Sequence, residues 1–180
     1  MDLSRLQEQL KGQSPKAAPV HLWNPPFCGN IDIVIKQDGS WCYNGTPITR
    51  NALVTLFSSV LKHENEQYYL VTPIEKVGIQ VEDVPFIITH WRFELDNLLL
   101  TTKEGIEFIV GEEHPVELRY HQQHQTHLPY VKVRDNLFAR FHQNVFYQLV
   151  ELGRIETDEK GMSHLMVKSG NYSFSLGQID

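Results

Sequence analysis

Three groups of residues in this 180-residue chain could do chemistry. The first is Thr72-Pro73-Ile74-Glu75-Lys76, with Glu82-Asp83 soon after. Carboxylates and an amine beside one turn can hold a polar ligand or shift one another's proton affinities. The same residues also suit a plain polar turn, with Thr72 and Glu75 bonding the backbone. No nucleophile with an adjacent base stands near them, which weighs against covalent catalysis. The second group is His121-x-x-His124-x-x-His127, whose imidazoles could ligate zinc or nickel. Residues three apart on a strand face opposite ways, so only a turn or a helix would bring these rings together. The glutamines among them suit a solvated loop equally well. The third group is Arg50, Arg92, Arg119, Arg134 and Arg140, any of which can meet an anion. Arg50 stands at an expected helix start, where backbone N–H groups also favour negative charge. Ion pairing with Glu75, Glu82 or Asp83, or exposure to solvent, is the plainer reading.

Other chemistries find no foothold. The sequence has no phosphate-cradling glycine loop, no paired CxxC and no serine elbow. Cys28 and Cys42 read as small buried fillers with free thiols. Trp23, Trp41, Phe57, Tyr69 and Trp91 read as core rather than as a base-stacking platform. The net charge of −6, with no basic stripe, excludes a phosphate-backbone binder. Apolar runs are too short to span a bilayer, and the first 20 residues lack a signal-peptide core. The expectation is a cytoplasmic protein with no nucleic-acid partner, no membrane partner and no cofactor.

The elements that would position these groups are mostly hairpins. Residues 1–20 read as a flexible leader, with Ser4 capping a brief helix that carries Leu3, Leu6 and Leu10. Trp23 and Phe27 read as plugs over one end of the core. Ile31, Ile33 and Ile35 alternate with polar and smaller residues as a half-buried strand, and Asp38-Gly39 is a hairpin turn into Trp41 and Tyr43. Thr49 or Asn51 would cap a first helix whose face is Leu53, Leu56, Phe57, Val60 and Leu61. Strands follow at 68–72, 77–81 and 86–91. A series of hairpins then leads to a second helix over 136–152, with Phe138, Phe141, Val145, Leu149 and Leu152 inward and Gly153 ending it. A charged loop, 156–160, precedes a last hairpin of 163–167 and 172–176.

The late helix and hairpin echo the early ones. A shift of 89 sets Leu56, Phe57, Val60 and Leu61 on Val145, Phe146, Leu149 and Val150; a shift of 95 sets Val77, Ile79 and Val81 on Tyr172, Phe174 and Leu176. The predicted architecture is α+β: two tandem, structurally similar small units, 21–90 and 91–180, each a mainly antiparallel sheet with one main helix.

One run carries a family resemblance: Trp23-Asn24-Pro25-Pro26-Phe27-Cys28-Gly29, Asp38-Gly39-Ser40-Trp41, Gly45-Thr46-Pro47-Ile48-Thr49-Arg50, Leu56-Phe57-Ser58, Tyr69 to Lys76 and Val81 to Phe86. It resembles the uncharacterised bacterial domain-of-unknown-function family 1285. The likeness continues through Leu137–Leu152 and Ser169-Gly170 to Leu176-Gly177. The resemblance implies a bacterial, soluble, two-part α+β protein with repeated substructure. It implies no established activity and suggests ligand sensing or signal transduction.

The functional expectation is a non-enzymatic module that binds a small molecule or a protein partner in regulation. A cleft between the two units would be the site, lined by Arg50, Thr72, Glu75, Lys76, Glu82 and Asp83. The rival readings are an enzyme using clustered carboxylates or a metal on His121, His124 and His127, and a structural protein that forms a homodimer through an exposed strand edge.

Overall fold

The computed structural model describes residues 3–13 and 17–180; residues 1, 2 and 14–16 of the expected leader lie outside them. The chain divides into two units, Met1–Asp83 and Val84–Asp180. Strand outweighs helix, 50% to 16%, so the α+β expectation holds with sheets as the main element. Among the described residues no helix is long and apolar enough to cross a membrane.

In the first unit, helix α1 (Leu3–Gln9) precedes a single 3-10 turn, Val20–Leu22. Strand β1 (Phe27–Ile35) buries Ile31, Ile33 and Ile35 on one face and leaves Asp32 in solvent, the alternation a half-buried strand requires. The Asp38-Gly39 turn forms as expected. Asp38 Oδ1 accepts from Ser40 N at 2.9 Å and from Ser40 Oγ at 2.6 Å. Strands β2 (Trp41–Tyr43) and β3 (Thr46–Pro47) follow, then helix α2 (Asn51–Ser58), then β4 (Leu61–Glu64), β5 (Gln67–Val71) and β6 (Lys76–Val81). Trp41 and Phe57 stack at 6.5 Å in the core. Trp23 is half-buried, but Phe27 is exposed and meets the edge of Tyr69 rather than plugging the core.

Several local expectations change. Ser4 lies inside α1 instead of capping it, and the leader is tied down: Leu6 and Leu10 are each 1% exposed. The N-cap of α2 is Arg50, with no side-chain cap, in place of Thr49 or Asn51. The helix stops at Ser58, and Val60 and Leu61 are buried from the turn and from β4. Asn65 and Glu66, both with positive φ, make the two-residue β4–β5 turn, a geometry whose twist matches the flanking strands.

The first sheet has the order β3-β2-β1-β6-β5-β4. All neighbours are antiparallel except β1 and β6, which pair in parallel. Asn30 sits opposite Gly78 there, and a Cβ on Gly78 would meet the Asn30 side-chain oxygen, which would have to turn away.

In the second unit, β7 (Phe86–Glu94), β8 (Asn97–Thr102), β9 (Glu107–Ile109), β10 (Val116–His121), β11 (Thr126–Arg134) and β12 (Leu137–Phe141) form a sheet in the order β10-β11-β12-β7-β8-β9. The strand starting at Phe86 therefore belongs to this unit, and the division falls at Asp83 and Val84 rather than near residue 90. Again one pair is parallel, β7 with β12. Helix α3 (Gln143–Leu152) follows, then β13 (Arg154–Thr157), β14 (Ser163–Ser169) and β15 (Tyr172–Ile179) in a separate antiparallel sheet. Residues 137–141, expected as helix, are strand, and the expected charged loop begins within β13. Gly153 does end α3, but in extended conformation; a Cβ there would meet Leu165 Cδ1 at 2.6 Å, so the Leu165 side chain would have to shift.

The two six-stranded sheets share one plan. Each is a pair of three-stranded meanders joined by a parallel pair between its first strand and its last. The strands β1 to β6 thus correspond to β7 to β12. The helices do not correspond: α2 lies between the third and fourth strands of its sheet, whereas α3 comes after the sixth. The helix-on-helix alignment read from sequence matches only a local motif, a helix followed by a three-stranded meander.

Candidate functional site

The turn between β5 and β6 is built by Thr72. Its Oγ accepts from Glu75 N at 3.0 Å and from Ile74 N at 3.3 Å, while Thr72 N donates to Glu75 O at 2.9 Å. Thr72 and Glu75 are 0% and 1% exposed. Helix α1 accounts for that burial. Arg5 Nη2 lies 2.7 Å from Glu75 Oε2, and the Thr72 hydroxyl donates to Gln9 Oε1 at 2.7 Å. The second Glu75 oxygen, Oε1, is buried with no hydrogen-bond partner among the described residues. This turn is therefore a fastening point for the leader helix.

The other four expected residues are engaged or placed elsewhere in the same unit. Lys76 sits 4.7 Å over the Tyr69 ring and 3.9 Å from Glu64. The bond from Lys62, then the charges of Lys62 and Lys76, hold the Glu64 carboxyl below its ordinary value. Glu82 Oε2 accepts from Gln37 N at 2.9 Å and steadies the β1–β2 hairpin. Asp83 is half-buried at the end of the unit, and Arg50 is exposed at the α2 cap.

The histidines of the second unit are split by strand register. His121 pairs with Thr126 and Tyr120 with His127, so His121 and His127 face opposite sides of the β10–β11 hairpin. The His121 and His124 rings touch at 4.8 Å, with His124 N on His121 Nδ1 at 3.3 Å. His127 instead meets the edge of Tyr120 at 5.5 Å. Among the described residues no three His, Cys, Asp or Glu side chains are grouped to hold a metal. Cys42 is buried as expected, but Cys28 is exposed and donates to Pro26 O.

The remaining arginines diverge too. Arg92 binds Glu94 and Glu107 at 2.9 and 3.1 Å. Arg119 pairs with Glu117 and covers the Phe138 ring. Arg134 lies over Phe86, and burial lowers its proton affinity. Glu104 has its carboxyl raised above the usual range, mainly by burial, and its Oε2 is buried without a partner among the described residues.

Of the five, Arg140 borders a half-open cavity in the second unit. The cavity holds about 410 Å³ and is bounded by His124, Thr126, Leu128, Pro129, Arg140, Phe141, Gln143, Phe146 and Tyr147. Each element contributes for a local reason. Thr126 and Leu128 are two apart on β11 and share a face. Gln143, Phe146 and Tyr147 fall at i, i+3 and i+4 on the first turns of α3, so they form one surface. Gln143 Nε2 donates to Tyr147 Oη at 3.3 Å, and the Phe146 and Tyr147 rings contact at 5.9 Å. His142 caps the helix, its Nδ1 accepting from Asn144 N at 3.1 Å. The sequence reading named Arg140 and His124 but not the aromatic wall; the i, i+3, i+4 pattern after a capping residue was its available signal.

Family models match almost the whole chain. Residues 18–84 match the N-terminal domain of a domain of unknown function, DUF1285, and residues 85–176 match the C-terminal domain of the DUF1285 protein of unknown function. A crystal structure of a DUF1285 family protein from Silicibacter pomeroyi DSS-3 is similar at 40% identity and a TM-score of 0.86, covering 99% of this chain and 96% of that one. A DUF1285 family protein from Shewanella baltica OS155 is similar at 27% identity and a TM-score of 0.53, over 66% of this chain and 90% of that one. No curated protein matches. With both halves matched in order and a full-length relative at this identity, the chain belongs to the DUF1285 family.

Proposed function

We propose that the chain is a small-molecule-binding module in bacterial regulation, not a catalyst, and that the cavity beside α3 is its binding site. One observation carries the reading. The second unit leaves a concave space of about 410 Å³ between a sheet and a helix start, within the roughly 300–1,000 Å³ of small-ligand sites. Leu128, Pro129, Phe141 and Phe146 give it an apolar body, and a few polar groups stand at its margin. In the first unit, α1 binds Thr72 and one oxygen of Glu75, which supports a structural role for that turn. Ligand-observed NMR on the full chain with a fragment library tests the reading. Hits should vanish in Gln143→Trp, which fills the mouth, and persist in Glu82→Gln. Hits that survive Gln143→Trp, or an absence of hits, overturn it.

A second reading is self-association. The edge strand β13 is exposed along its whole length, Ile155 is 67% exposed, and Phe93 and Leu95 line a groove with Leu152 and Arg154 beside it. Leu95 is 95% exposed. An unpaired edge next to apolar side chains suits a second copy. Sedimentation across concentration should show a dimer that Ile155→Lys dissolves; a monomer at every concentration removes this reading.

A further inference from the structure

We infer that β13 joins two copies of this chain by pairing antiparallel with itself about a two-fold axis at Ile155; this rests on the self-association reading. The open edge is the first ground. β13 stands at the end of the order β13-β14-β15, and all four of its residues, Arg154, Ile155, Glu156 and Thr157, are exposed. Its ladder with β14 shows which main-chain groups face outward. Arg154 lies opposite Met166 and Glu156 opposite His164. The same register carries on to Asp158, whose N–H donates to Met162 O at 2.8 Å. Alternate residues of an antiparallel strand turn their main-chain groups to the same neighbour. Arg154 and Glu156 therefore bond to β14, and Ile155 directs its N–H and C=O to the open side. Such groups are a template for another strand.

Charge selects the strand that fits. Arg154 and Glu156 share one face of β13, with Ile155 between them on the other. In a two-fold pairing centred on Ile155, Arg154 of each copy lies opposite Glu156 of the other, so the same ion pair forms twice. Ile155 meets Ile155 of the second copy and exchanges both main-chain bonds with it. Leu165 is already the cross-strand neighbour of Ile155 on that face, so joining the copies lays down one apolar row of Leu165, Ile155, Ile155 and Leu165. Competing registers lose these gains. A shift of one residue sets Ile155 against a charged side chain. A shift of two sets Arg154 against Arg154 or Glu156 against Glu156, and like charges directly opposite destabilise a pair. Charge on an edge strand ordinarily repels other strands. Here the order basic, apolar, acidic is complementary to itself when turned end for end, which favours a second copy over an unrelated strand.

Sedimentation of the full chain with charge-reversal variants tests the register. Arg154→Glu alone and Glu156→Arg alone each place like charges opposite one another twice. Each should weaken dimerisation at least about tenfold. Mixing the two single variants should restore a dimer, because every cross-strand pair then joins opposite charges. The double variant Arg154→Glu/Glu156→Arg should dimerise as the unaltered chain does. Amide exchange in the unaltered chain needs no variant: the Ile155 amide should gain protection as the dimer forms, while those of Arg154 and Glu156 change little. A dimer that Ile155→Lys dissolves but neither charge reversal weakens overturns the register and leaves self-association at β13 intact. A dimer that forms without protecting the Ile155 amide overturns pairing through this edge. A monomer at every concentration overturns both.

Discussion

The two units carry sheets of the same strand order and treat their polar surfaces in opposite ways. In the first, Thr72 and Glu75 are buried and bound by α1, Gln9 meeting the Thr72 hydroxyl and Arg5 one Glu75 oxygen. In the second, the start of α3 leaves a hollow that its own chain does not fill. The difference follows from where helices enter a shared plan. A helix preceding the sheet is available as a lid on it, whereas α3 leaves the last sheet strand directly, so its first turn flanks β11 and β12. Chemically suggestive residues can thus be fasteners, and a less conspicuous set can frame the open space.

That contrast can be broken first at the lid. Leu6→Ala and Leu10→Ala should each cost about 2–5 kcal/mol, the usual range for truncating a buried leucine, measured by urea unfolding. Losses below about 0.5 kcal/mol would mean that α1 is not packed as described. Arg5→Ala comes next. It strips the ion-pair partner from a buried carboxylate, but Arg5 is itself 57% exposed, so solvent limits the loss to about 1 kcal/mol. In the second unit, Tyr147→Ala should change stability by no more than about 0.5 kcal/mol, as an exposed position does, while weakening fragment binding.

Glu104→Gln sharpens the comparison by pH. Burial raises the Glu104 carboxyl above its unfolded value, so the folded state holds the proton more tightly. Its cost to stability is therefore absent at low pH, grows as pH rises from the unfolded to the folded value, and stays constant above. The variant should be more stable than the parent near neutrality and indistinguishable from it in acid; the reverse trend would contradict the burial. The smallest effect belongs to Glu64→Gln at its half-buried pairs with Lys62 and Lys76. A loss of at most about 0.5 kcal/mol is expected, disappearing in high salt.

Much of the strand plan was legible. Alternation at Ile31, Ile33 and Ile35 and the short Asp38-Gly39 turn state their geometry directly, because period two and turn residues are short-range signals. The failures came where two periods coincide. Leu137, Ala139 and Phe141 are buried alternately on β12, yet Phe138, Phe141 and Val145 also fit a helical face, so strand and helix merged into one expected element. Val60 and Leu61 extended the α2 pattern for the same reason. The site was less legible than the fold. Thr72 and Glu75 were found, but their role depends on α1, which lies more than 60 residues upstream. The cavity joins β11, β12 and α3, and a hollow has no residue signature of its own.

The parallel pairing of first and last strands also bears on how the chain is made. During synthesis β1 emerges early but cannot gain its β6 neighbour until Val81 has left the ribosome, and β7 waits likewise for Phe141. Each unit thus matures late and nearly all at once. A nascent chain stalled after Val71 would hold two separate ribbons with exposed flanks, a natural substrate for chaperones.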